Sequence, residues 1–472
     1  MEDTLRTFDY KFEQIRVIEQ LLQFEGFLGD ESGNFDEMLE NRMNKGDDFR
    51  ELAERDDALA LLALAQVVRF RQKNSGNPVN RQAYLFRSLK RPEEIVALRR
   101  IYGSNLIVIG VHSGREGRVE NLAEHIAKSR FSAQRDQFRD IAERLVLRDE
   151  SDEKKEHGQR LRKAFAMADF FLDSSDPQAI RRDLERFLNL LFAKPVITPT
   201  RDEVAMAHAY AAAMRSSDLG RQVGSAITDQ KGNLIGVGTN EVPKAHGGYY
   251  WDGDPNDGRD WNRGYDTSER FRNASFGELL QVLSKNGLLS WQLNDLPTPE
   301  QIKKLKPLVK QTRYMQLIEF IRAVHGEMSA LMDAAFRGVS VRGCTMYVTT
   351  FPRHECARNI IAAGLARVVY IEPYAKSLAV ELHSNAIQLD GDGDSNKIPF
   401  VPFLGVAPRN YADMFLAAPN RKDSDGNVAD WDAIHANPRV SGSFWSYLQY
   451  EKEDLTYLLG KLKTKGLNLN TQ

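Results

Sequence analysis

The stretch Thr349–Gly364, TTFPRHECARNIIAAG, decides how the second half of the chain is read. CTMYVTTF reads as a strand, RHECARNIIAAG as a helix and the following RVVYIEP as another strand, which is the order of a β-α-β unit. Cys356 falls in the first turn of that helix, four residues after Pro352. Just upstream, HGEMSALMDAA sets His325 and Glu327 two residues apart at the start of another helix. That spacing lets one side chain face a metal while the other faces a bound molecule beside it.

Together the two segments are similar to the H-x-E…P-C-x-x-C signature of zinc-dependent nucleobase deaminases. Such chemistry needs three protein ligands on zinc and a fourth position for water, whose pKa the metal lowers to about 7. A carboxylate that does not ligate the metal moves the protons. His325 and Cys356 match ligands and Glu327 matches the proton shuttle. The free N–H groups of a helix N-terminus would favour the Cys356 thiolate. At the remaining ligand position stands Arg353, whose guanidinium stays protonated and offers donors only. His354 is a possible substitute, although one residue along a helix turns the side chain by about 100°. Cys344 lies a strand length away. Taken singly, His325 reads as a satisfied polar residue and Cys356 as a small core residue; their joint placement with Glu327 and Pro352 points to deaminase ancestry.

With 472 residues the chain is long enough for at least two domains. Its 64 Lys and Arg against 66 Asp and Glu leave no global basic field, so DNA binding is not expected and a small solute is the expected ligand. Two cysteines cannot build a disulfide framework, and no apolar N-terminal run resembles a signal peptide or membrane span. A reducing cytoplasm is the expected location, with no membrane partner.

Residues 1 to about 195 alternate short apolar strands with charged helices, which favours an α/β layer with a largely parallel sheet. KFEQIRVI and NLIVIGVH are strand candidates, and residues 35–72 between them are helical. The charged run RDESDEKKEHGQRLRKAFAMADFFLD reads as a solvated helix face leading to a short strand. A helix ending at Lys194-Pro195 closes this region. The boundary falls near Thr200, giving domains of 1–199 and 200–472. RDEVAMAHAYAAAMRSS is then a helix, QVGSAITDQKGNLIGVGTNEVP two strands, KAHGGYYWDGDPNDGRDWN a loop with functional potential, and a helical stretch ends at QLIEFIRAV.

The segment from about Thr200 to Tyr411 resembles the deoxycytidylate deaminase branch of the cytidine deaminase superfamily, through RSSDLGRQVGSAI, GTNEVP, HGEMSALMDAA and TTFPRHECA. With EPYAKSLAVELHSNAI, PFVPFLGVAPRNYADMF and EKKEHGQRLRKAFAMADFFLD, nearly the whole chain looks like the two-domain bacterial anti-phage deoxycytidine-nucleotide deaminases. The resemblance implies an α/β fold: an N-terminal P-loop-kinase-like parallel-sheet domain followed by a cytidine-deaminase-like α/β/α domain. It implies a Zn2+ cofactor and hydrolysis of dCTP or dCMP to dUTP or dUMP, which depletes the precursor pool of a replicating phage. It also implies a homo-oligomer, control by a thymidine nucleotide, and room for an RNA or protein regulator. Residue by residue, it makes Asn240 a hydrogen-bond partner of the nucleotide sugar. Lys376 and Ser377 either meet the phosphates or belong to a solvated loop after a strand.

Two departures stand against this. Arg353 is one. The other is the phosphate loop: no G-x-x-x-x-G-K-[ST] occurs, and GVHSGREGR lacks the Lys and Ser/Thr that hold phosphate and Mg2+. Either the start is truncated or the loop is lost, and in both cases no kinase or NTPase activity is expected. Two readings remain open: a zinc deaminase with a weakened site, and a catalytically inactive nucleotide-binding protein of the same fold in which Arg353 takes the metal position and pairs with Glu327.

Overall fold

Short β-rich runs alternate with helices throughout a computed structural model of the chain, which describes residues 1–22, 27, 33–74, 78–152, 155–310, 312, 314–316, 319–374, 377–389, 396–416, 421–439 and 446–467. Contacts group them into two units. One is Met1–Glu203 with Ile371–Pro373 and Pro402–Gln472; the other is Val204–Tyr370 with Tyr374–Val401. Among the described residues no helix is long and apolar enough to cross a membrane.

In the first unit β1 (Lys11–Arg16) pairs in parallel with β2 (Gln82–Arg87), and β3 (Ile109–His112) in parallel with β4 (Phe170–Asp173). The expected parallel pairing is present, in two separate pieces. The helical run 35–72 is two helices, Phe35–Ala53 and Ala58–Lys73, because Glu54 turns left-handed at φ 53° and the charged segment after it cannot extend an apolar face. GVHSGREGR holds almost no loop: β3 ends at His112 and the helix Arg115–Ser129 starts three residues later.

The second unit holds most of a six-stranded sheet of β5 (Gly224–Thr228), β6 (Leu234–Thr239), β7 (Thr345–Thr350), β8 (Arg367–Glu372), β9 (Ile387–Leu389) and β10 (Ile398–Pro402), the last residues of β8 and β10 being grouped with the first unit. Its spatial order is β6-β5-β7-β8-β10-β9. β5 runs antiparallel to both β6 and β7, and β9 runs parallel to β10. Ile227, Met346, Val348, Val368 and Phe400 from the strands meet Ala330, Ala357 and Ile360 from the helices Gly326–Phe336 and His354–Ala362 in one core. The 326–336 helix lies so close to β6 that a Cβ added at Gly238 would stand 2.2 Å from both Ala330 N and Gly326 O. Glycine is what permits this approach.

The grouping differs from a single division at residue 200, since Pro402–Gln472 belongs with the first unit. There β11 (Gly405–Val406) pairs antiparallel with β4. Leu458 and Leu462 of the helix Ser446–Thr464 are fully buried in one core with Phe49, Leu61 and Leu64. Burial of such side chains stabilises by about 1.5–3 kcal/mol each, enough to draw the tail to that core. QLIEFIRAV departs from expectation in part: Gln316 ends a 3-10 turn, residues 319–324 are not helical, and Val324 forms an antiparallel bridge with Glu241.

Candidate functional site

The strand end and the two helix starts converge as the sequence spacing requires. His325 stands at the N-cap position of the helix Gly326–Phe336 without a side-chain capping bond, Glu327 is buried in its first turn, and Cys356 is buried in the first turn of the helix His354–Ala362. His325 Nδ1 lies 3.2 Å from Cys356 Sγ, and the thiol donates a hydrogen bond to the Glu327 carboxylate. Burial, and secondarily the Arg353 charge, push the His325 imidazole down to about 4. Burial raises Glu327 above the usual carboxylate range. Burial first, then the Glu327 carboxylate, push the Cys356 thiol well above its ordinary value, in the direction opposite to that expected from the helix N-terminus alone.

Arg353 is half-buried at the N-cap of the 354–362 helix, with its guanidinium over the Tyr374 ring, 5.4 Å from the centroid. The Glu327 carboxylate, expected to pair with Arg353, accepts from Cys356 instead. His354 is the first residue of that helix, and two residues along a helix put its side chain about 200° from Cys356. Among the described residues no group of three His, Cys, Asp or Glu side chains could hold a metal. Among the described residues the donors at this point, the His325 imidazole and the Cys356 thiol, therefore do not fit a three-ligand catalytic zinc.

Asn240, expected at the sugar, is buried and its amide is engaged by protein. Its Oδ1 accepts from Gly326 N at 2.7 Å, and its Nδ2 donates to Arg221 O at 3.0 Å and Asp218 Oδ2 at 3.3 Å. The side chain thus ties the turn after the 201–214 helix to the segment bearing His325 and Glu327. Ser377 donates to Pro352 O at 2.7 Å and accepts from Ala379 N. Lys376 lies outside the described residues.

A cavity of about 120 Å³ lies beside Arg353, and His325, Glu327, Cys356 and Asn240 are not in its lining. It is lined by Arg353 and by residues not singled out from sequence, among them Ser217, Asp218, Glu241, Asp260 and Arg322. Glu241 accepts from Ser217 N and Oγ, and Arg322 pairs with Asp260 at 2.6 Å. Sequence signals for these existed: Ser217 and Asp218 sit in RSSDLGRQVG and Asp260 in the Gly- and Asp-rich loop, but nothing local said that the two would meet.

A His-x-Glu helix start thus meets, on a mixed sheet, a helix start that carries Cys356 four residues after Pro352. Residues 199–372 match the family described as "Cytidine and deoxycytidylate deaminase zinc-binding region", and this region is such a domain, with zinc as the cofactor of the family. The deoxycytidylate deaminase of Enterobacteria phage T4 is 43% identical over 54 residues, 11% of this chain and 28% of that protein. That of Homo sapiens is 27% identical over 169 residues, 36% of this chain and 63% of that protein. The chain thus spans under a third of the phage relative and under two thirds of the human one. A solved dCMP deaminase from the cyanophage S-TIM5, in complex with dCMP and dUMP, is similar at 14% identity with a TM-score of 0.24, covering 43% of this chain and 98% of that one.

Proposed function

We infer that this chain carries a deoxycytidine-nucleotide site of the hydrolytic deaminase type, taking dCMP or dCTP, in which turnover is held back by the residue at position 353. The observation that carries this is Arg353 at the N-cap of the 354–362 helix, beside a His325–Cys356–Glu327 cluster that satisfies itself by hydrogen bonding. Zinc, when bound by a full ligand set, would supply the hydroxide; here a third ligand is lacking and no step is derived through the metal. The residues present can bind and orient the base, with His325 and Glu327 held in place through Asn240 and Gly326.

Conversion of dCTP or dCMP to dUTP or dUMP by the unmodified chain is the second reading, favoured by the close approach of His325 and Cys356 with Glu327 against them. An anti-phage role through pool depletion, a homo-oligomer, a thymidine-nucleotide effector and any RNA or protein regulator all rest on resemblance and belong with this reading. The kinase-like ancestry of the first unit rests on resemblance as well.

The purified chain and its Arg353→Cys variant, each incubated with dCMP and dCTP in the presence of added zinc, decide between them. We expect dUMP or dUTP, and about one zinc per chain, from the variant alone. Product from the unmodified chain would establish the second reading. A variant that stayed metal-free and inactive would show that the site is misplaced.

A further inference from the structure

Arg353 both stands at the remaining ligand position and lines the cavity. In deaminases of this type the metal-bound hydroxide attacks C4 of cytosine, so a ligand of the metal stands close to the 4-substituent. Arg353 occupies such a ligand's position in the chain and lines the cavity, with its guanidinium over the Tyr374 ring. Its guanidinium offers hydrogen-bond donors and no acceptor, and it does not deprotonate. The 4-amino group of cytosine is also a donor, so the two would present hydrogens to each other. The 4-oxo group of uracil or thymine is an acceptor and can take a charge-assisted hydrogen bond from the same guanidinium.

We propose that Arg353 makes this site selective for a 4-oxo pyrimidine deoxynucleotide, a deoxyuridine or thymidine nucleotide, over a deoxycytidine one. The inference rests on the reading of the cavity as a pyrimidine deoxynucleotide site. Deoxycytidine nucleotides still enter, because sugar and phosphate are shared. For the same reason any attraction of Arg353 for phosphate cancels when dUMP is compared with dCMP.

The test is calorimetric titration of the full chain, in chelator-treated buffer, with dUMP, dTMP and dCMP, repeated on Arg353→Met and Arg353→Lys. In the unmodified chain dUMP should bind at least about tenfold more tightly than dCMP, the size of effect that one mismatched buried hydrogen bond produces. dTMP separates the two sources of the 4-oxo group and should follow dUMP if the cavity has room for its methyl. Arg353→Met should abolish the difference between dUMP and dCMP, and Arg353→Lys, which keeps a donor, should retain its direction. Equal or tighter binding of dCMP by the unmodified chain overturns the inference while leaving the nucleotide site standing. Binding of none of the three overturns the site and the inference together.

Discussion

Replacing Asn240 by alanine tests whether the structure has the logic of the site right before any ligand is added. The buried Asn240 Oδ1 is the partner of Gly326 N, at 2.7 Å, and its Nδ2 bridges to Arg221 O. Alanine leaves the Gly326 N–H without that acceptor, between His325 and Glu327, where Gly326 itself is buried. An unsatisfied buried donor costs about 1–3 kcal/mol, and loss of the Arg221 bond adds about 0.5–1.5 kcal/mol. A total near 2–3 kcal/mol corresponds to roughly 30- to 150-fold in a local opening equilibrium.

The assay is hydrogen exchange read on a peptide spanning residues 324–328, together with urea unfolding followed by tryptophan fluorescence. Trp251, Trp261 and Trp291 lie in the second unit and report on it. Faster exchange at Gly326 in the free protein is the expected result. Asn240→Asp keeps the acceptor but places a second carboxylate against Asp218, 3.3 Å away in the native contact, so it too should weaken the turn. Unchanged exchange and an unfolding free energy shifted by less than about 0.5 kcal/mol in Asn240→Ala would refute the clamp, and would return Asn240 to a role at the ligand.

Gly238→Ala would drive a methyl into the backbone of the 326–336 helix; circular dichroism melting should show a loss of about 1–3 kcal/mol or more, and a native-like melt would mean that helix and strand are not in contact as described. Leu462→Ala removes a fully buried side chain of the 446–464 helix and should cost about 2–5 kcal/mol in the first unit's unfolding transition. The carboxyl of exposed Glu54 is held down to about 2, chiefly by its hydrogen bond to Lys461 and next by Lys465. Its folded value lies below the unfolded one, so its contribution is complete above about pH 4.5 and fades as the pH falls toward 2; exchange of the 446–464 helix should rise across that window in the native chain and less so in Glu54→Gln. Equal responses in the two proteins would remove Glu54 from the tether.

The second half of the chain was the more legible, for a physical reason. Its strands are short apolar runs with punctuation at Gly364 and Pro352, and its chemistry sits at helix starts that a His-x-Glu or a cysteine after a proline marks in one dimension. What the sequence left out came from distance along the chain. The return of residues 402–472 to the first unit depends on Leu458 and Leu462 finding Phe49 and Leu61, about 400 residues earlier, and an amphipathic helix carries no address. The engagement of Asn240 was hidden in the same way, since nothing in GTNEVP says that Gly326 N will face it. The thiol was misjudged because a helix N-terminus is visible in sequence whereas burial and a carboxylate neighbour are not.

A cation at the N-cap of a helix opposes the helix dipole, at a cost of about 0.3–1 kcal/mol. The Tyr374 ring under the Arg353 guanidinium offsets an amount of similar size, about 0.5–1 kcal/mol at a partly exposed site. Arginine at 353 is therefore close to neutral for folding, and the cluster beside it does not depend on a metal to be satisfied, because Cys356 bridges His325 and Glu327. The sheet core of Met346, Val348, Val368 and Phe400 holds the two helix starts together without reaching into the site. This separates the domain from small structural zinc modules, whose folding free energy is the binding free energy of the ion. Arginine at 353 is thus compatible with the helix start and with the hydrogen-bonded cluster beside it. Comparison of dUMP with dCMP binding therefore tests the effect of position 353 on the ligand directly, with no catalysis required.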